Sequence, residues 1–265
     1  MATVFGTYPA IQIDGATFKE KDSIKWYESR TLGVLKQING VATGEIVLKY
    51  LQSIKAGRKV TIKPYNWAYI SKTFPKDKVA NLWNATAQPK DHTKANDQGQ
   101  SVILEALKGE PAGGTDVEVY FTKWVIDNPK YRKSAGIAKG SAGSLADEIL
   151  LHELVHGVGQ MLGRDDRTAM ADDMHEVSEF RSILVTNIYA TDASNPVKNR
   201  PVRKDHAGTA TLTAAAGENI NETFLKLPGY RSHTQTFIRR FPGLAWDLLD
   251  VNATFNPVRA LIKGA

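Results

Sequence analysis

Residues 145–162, LADEILLHELVHGVGQML, space their apolar side chains so that only an α-helix can bury them together. At 100° of rotation per residue, Leu150, Leu151, Leu154, Val155, Val158, Met161 and Leu162 share one broad arc. His152 and His156 fall outside that arc, about 40° apart, and Glu153 lies about 100° from His152. Histidines at i and i+4 have Cβ atoms ~5–6 Å apart, so their rings can converge on one cation. Glu153, displaced around the helix, does not easily join the same coordination sphere, but it can reach a water in an open position. This is the HExxH arrangement, whose chemistry needs two zinc ligands and a general base on one turn and a half of helix. Ser144 with Asp147 reads as a capping box at the helix start, and Gly163 as the residue that ends it. Gly159, one turn after His156, leaves room for another segment or a substrate to approach the metal face.

A catalytic zinc takes a third protein ligand and keeps one position open. In the metzincin pattern HExxHxxGxxH, Gly159 matches the glycine, but the third histidine position is Leu162, which cannot bind a metal. The ligand must therefore come from elsewhere. A second helix is predicted from about Glu176 to Ala190, with Val177, Phe180, Leu184 and Ile188 turned inward. Both Glu176 and Glu179 can then face the metal, and periodicity does not choose between them. Nineteen residues separate His156 from Glu176, the spacing of thermolysin-like enzymes, but the aspartate those enzymes carry four residues later is Phe180 here. His175 reads as an exposed histidine ahead of the helix.

The rest of the chain mixes strand and helix signals. Ala10–Ile13, Lys59–Ile62 and Val117–Phe121 alternate as half-buried strands do, and Gly44–Ile54 has helical spacing. Residues 84–100, NATAQPKDHTKANDQGQ, are polar and rich in breakers, and read as a long exposed loop. Val102–Leu107 fits a strand or a helix. Ser134–Ser144 is rich in glycine and serine. Thr234–Arg240 and Ala245–Val251 are helical or loop segments punctuated by prolines. No repeat and no linker divides the chain. The expected organisation is α+β in a single domain over 1–265, with an N-terminal α/β part to about 133 and an active-site helical part from about 134.

Composition narrows the function classes. With no cysteine among 265 residues, disulfide frameworks, cysteine nucleophiles and thiolate metal sites are excluded. The net charge of +6 is scattered, and the small cluster Lys198–Lys204 reads as solvated basic surface, so no specific nucleic-acid partner is expected. No apolar run approaches the ~18–20 residues of a membrane span. The first residues lack the basic start and apolar core of a secretory signal, so the expectation is synthesis in the cytoplasm, with any export through a dedicated system.

Three segments together, HELVHG at 152–157, SEFRSILVTNIYATD at 178–192 and RPVRKDH at 200–206, resemble the NleD-like family of bacterial metallopeptidase effectors. TGEIVLKYL with KVTIKPY, and the C-terminal RRFPGLAWDLLDVNATFNPVR, resemble it more faintly. The resemblance implies a zincin-like fold, in which a small N-terminal sheet with helices supports a HExxH active-site helix. In that family the ligand glutamate stands directly before the phenylalanine, which selects Glu179 over Glu176, although Ser178 replaces one of the two acidic residues often found there. The implied enzyme is a zinc endopeptidase with His152, His156 and Glu179 on the metal and Glu153 as general base toward a metal-activated water. His206 or Tyr189 would supply the oxyanion donor, and Asp205 would orient His206 or a ligand histidine. The implied setting is a secreted toxin acting on a protein substrate in a target cell, with a secretion-system component or an immunity protein as partner. The rival expectation is a non-catalytic, zinc-stabilised binding or structural protein.

Overall fold

A computed structural model of the chain describes residues 2–18, 20–54, 57–64, 85–91, 113–121, 142–170, 174–206 and 210–264. Within them the protein is α+β. Five strands form an N-terminal sheet in the order β1-β2-β3-β5-β4: β1 (Thr3–Phe5), β2 (Tyr8–Ile13), β3 (Val60–Lys63), β4 (Ala85–Pro89) and β5 (Val117–Phe121). The centre of the sheet is parallel, β2 to β3 to β5, and both outer pairs are antiparallel. Ile11, Ile13, Val60, Ile62, Val117, Val119 and Phe121 are fully buried while their neighbours are not, so the period-2 pattern that predicts these strands is the pattern that packs them.

The helices follow as α1 (Lys21–Asn39), α2 (Ala42–Ser53), α3 (Ala146–Met161), α4 (Val177–Thr191), α5 (Ile220–Leu225), α6 (Tyr230–Arg240), α7 (Pro242–Leu248) and α8 (Pro257–Lys263). A short ribbon, β6 (Val202–Arg203) with β7 (Thr211–Leu212), lies between α4 and α5. Helix α3 packs on the sheet through Gly157, where a Cβ would sit 3.8 Å from side-chain carbons of both Val60 and Val117. It also packs against α1, α2 and α4. Two prolines of the C-terminal part open helices: Pro242 and Pro257 occupy first-turn positions of α7 and α8, where a missing N–H costs nothing. No helix among the described residues is long and apolar enough to cross a membrane.

One sequence expectation changes here. The stretch expected as a loop from 84 contains β4, which holds the outer edge of the sheet and buries Ala87. Its polar residues and Pro89 hide it, yet proline is tolerated on an edge strand. In α3, residues 147–161 are buried all round, because α4 and β4 cover the histidine face while the sheet covers the apolar one. Val102–Leu107 and residues 134–141 lie outside the described residues.

Candidate metal centre

Helix α3 begins one residue later than the expected box. The Leu145 N–H donates to Glu148 Oε2 at 3.1 Å, so Glu148 supplies the side-chain half of the cap. Asp147 instead takes the Tyr189 hydroxyl (2.7 Å) and Arg200 Nη2 (2.8 Å). At the other end Gly163 adopts φ +67 and stops the helix as expected.

His152 and His156 bring their Nε2 atoms 3.1 Å apart. Glu179, in the first turn of α4, meets both rings with one carboxylate: Oε2 is 3.0 Å from His152 Nε2 and Oε1 is 3.3 Å from His156 Nε2. One ligand atom from each residue lies within 4.8 Å of the others, and this buried group could hold a metal ion. Glu176 is not part of it. It is the residue before α4, at φ −147, and its carboxylate accepts the Ser178 hydroxyl at 2.6 Å.

Glu153 stands beside the cluster and outside it. Its Oε2 accepts the backbone N–H of Ala87 at 2.7 Å, and Gln160 Nε2 donates to the carbonyl of the same residue at 3.2 Å. Helix α3 thus grips both backbone groups that Ala87 turns away from β5. This orienting contact is invisible in the sequence, because it is made by a backbone group of a strand read as loop.

The electrostatics follow from burial and from Glu179. Burial pushes the Glu153 carboxyl up to about 7, against the pull of His156. Burial brings His152 down to about 3, although Glu179 opposes it. At His156 burial also disfavours the charged ring, but the charge and hydrogen bond of Glu179 outweigh it and push the ring up to about 9. Burial disfavours ionised Glu179 too, yet His156 and its other histidine partners hold it well below the usual carboxylate range. Glu179 thus favours the charged form of the His156 ring, while burial favours the neutral form of His152.

The remaining expected residues divide. His206 reaches the cluster, with Nε2 3.2 Å from Glu179 Oε2 and its side chain 40% exposed. Tyr189 does not. Its ring is fully buried and its hydroxyl is committed to Asp147, so the oxyanion role considered for it is withdrawn. Asp205, next to His206 in the chain, accepts the Ala210 N–H at 2.7 Å. Gly159 makes room for another segment, not for a substrate. The guanidinium of Arg181 fills the space where its Cβ would stand, over the ring of Phe241 and 3.7 Å from Asp165.

Two arginines of the run read as surface are buried at the site's margin. Arg200 pairs with Asp147 and with Glu148 (3.2 Å). Arg203 lies in the crook of Gly143, at φ +68, and donates to the His206 carbonyl. Their only signal in the sequence was proximity to the DH pair. His152 Nδ1, facing away from the cluster, is buried with no hydrogen-bond partner among the described residues. Comparison of the chain with protein-family models, with curated proteins and with solved structures returned no match.

Proposed function

We propose that the chain is a zinc-dependent endopeptidase of zincin type. The observation that carries this reading is the convergence of two imidazole nitrogens and one carboxylate, with Glu153 held next to them by Ala87 rather than among them. The donor set favours zinc. Bonds of ~2.0–2.1 Å around a tetrahedral ion imply donor separations of about 3.3–3.4 Å. The two imidazole nitrogens are 3.1 Å apart, and the nearer Glu179 oxygen to each stands at 3.0 Å (Oε2 to His152) and 3.3 Å (Oε1 to His156), near that range. His152, His156 and Glu179 would hold the ion, which when bound acidifies water and polarises a peptide carbonyl.

The chain's own residues do the rest. Glu153 keeps Oε2 on the Ala87 N–H and has Oε1 for proton transfer, taking a proton from the attacking water and handing it to the leaving amine. Burial raises the Glu153 carboxyl and a bound dication would pull it back down, which suits a group that both takes and returns a proton near neutral pH. His206 is the candidate donor to the developing oxyanion. The resemblance to NleD-like effectors further supports a toxin delivered by a secretion system, with a protein substrate in the target cell and an immunity protein or secretion component as partner.

One observation favours a second reading. His206 Nε2 lies 3.2 Å from Glu179 Oε2, outside the three-residue group, and a turn of its ring toward the ion would add a fourth ligand, close the site and make the metal structural. Two variants separate the readings. In the enzyme, Glu153→Gln keeps fold and zinc but loses at least about 100-fold of peptidase activity, and its toxicity on expression in a bacterial cytoplasm or periplasm. His206→Ala lowers kcat and retains zinc. Activity surviving in Glu153→Gln, or zinc lost from His206→Ala, sinks the catalytic reading.

A further inference from the structure

The segment entering α4 contains a strained residue that the chemistry above does not use. Residues 168–170 and 175–177 run back to back. The Val177 N–H donates to the Thr168 carbonyl (3.1 Å), the Met170 N–H donates to the His175 carbonyl (2.9 Å), and Ala169 bridges Glu176. Within this pairing the Glu176 N–H donates to the carbonyl of Met174, two residues back, at 2.9 Å. His175 is the centre of that three-residue turn, at φ 68. This is the γ-turn of the rare, strained hand, and glycine would adopt it without the steric cost a histidine carries. Met174 is fully buried and anchors the turn, while His175 is exposed, so burial of its own ring does not explain the residue.

The turn delivers the His175 ring to His206. The two rings meet edge to face, with centroids 5.0 Å apart and planes at 78°. On its other side His206 faces the cluster, 6.3 Å from the His152 ring, with Nε2 at Glu179. A histidine 40% exposed on a loop has several rotamers open to it. Its carbonyl is fixed by Arg203, but that bond leaves the ring free to turn. Glu179 shares its oxygens with two other histidines, whereas the ring edge of His175 bears on His206.

We propose that His175 is a positioning residue, held in a strained turn so that its ring fixes the orientation in which His206 points into the metal cluster. The catalytic part of this inference rests on the peptidase reading, and the orientation itself does not.

The test compares His175→Gly, which removes both ring and strain, with His175→Phe, which keeps an aromatic edge on the same backbone. In the full chain, nuclear Overhauser contacts between the His206 and His152 rings are expected in the wild type and in His175→Phe. They are expected to be lost in His175→Gly. Relief of the turn should raise the Tm of His175→Gly by ~2–4 °C. On fluorescein-labelled casein, His175→Gly should lose about 10-fold in kcat with KM and zinc content unchanged, and His175→Phe should recover most of it. A merely structural residue would not gain stability while losing turnover. If the ring contacts persist in His175→Gly, the proposal is overturned. If they vanish while kcat stays at the wild-type value, its catalytic part is overturned. If no form cleaves casein but the ring contacts behave as expected, the orientation stands and the peptidase reading fails on this substrate.

Discussion

Glu179 and Glu176 are three residues apart and have the same side chain, yet one spans two histidines and the other folds back on Ser178. The difference is the helix boundary, since Glu176 precedes α4 in extended conformation and Glu179 is inside its first turn. Glu179→Ala should therefore weaken zinc binding on the order of 100-fold or more, and Glu176→Ala by less than about 3-fold, measured by competition with a chromogenic chelator. Equal effects would refute the ligand assignment. The ion pair at His156 gives a second test. Its ring is raised from 6.5 to about 9 in the fold, so its stabilising contribution is whole below 6.5 and is lost as pH rises through about 9. A metal must displace that proton. Zinc uptake should release nearly one more proton per ion at pH 8 than at pH 10, read from calorimetric heats in buffers of different ionisation enthalpy.

Among elements, α2 has an N-terminus satisfied from far along the chain. Asp192, just past α4, accepts the Thr43 N–H at 2.9 Å and the Thr43 hydroxyl at 2.7 Å. Asp192→Ala should cost about 1–3 kcal/mol, seen as a lower urea midpoint with zinc content unchanged. No sequence pattern announces such a cap, because its two halves are 149 positions apart. What was legible had a local cause. The alternation of β2, β3 and β5, the wheel of α3 and the glycine that ends it all follow from neighbouring residues. Helix α1 has a buried stripe at Tyr27, Thr31, Val34, Leu35 and Ile38, but the polar Thr31 interrupts the apolar count and the helix escapes notice. Strand β4 escapes for the opposite reason. Its residues suit a loop, and only pairing with β5 and the grip of Glu153 and Gln160 make it a strand. The histidines and Glu153 were legible as a motif. Arg203 and the placing of His206 depended on the tertiary path.

At the scale of the molecule, the cluster ties α3 to α4, and α4 in turn packs on α2 and α6. An ion there would join the sheet-bound helices to the C-terminal ones. Zinc at 100 times its dissociation constant should add about 2.7 kcal/mol to the unfolding free energy. The expected rise in Tm is roughly 5–10 °C, reversed by a chelator and retained in Glu153→Gln. A metal-independent Tm would contradict the tie. The grip on β4 also bears on how copies of the chain meet in a crowded solution. An exposed strand edge is a template for another strand, and proteins that leave one open tend to associate through it. Among the described residues one edge is β1, three residues long and irregular at Val4 and Phe5. At the other edge Ala87 has both outward groups occupied by side chains of α3, and Pro89 has no N–H to offer. The contact that orients Glu153 therefore also blunts the sheet against growth into aggregates.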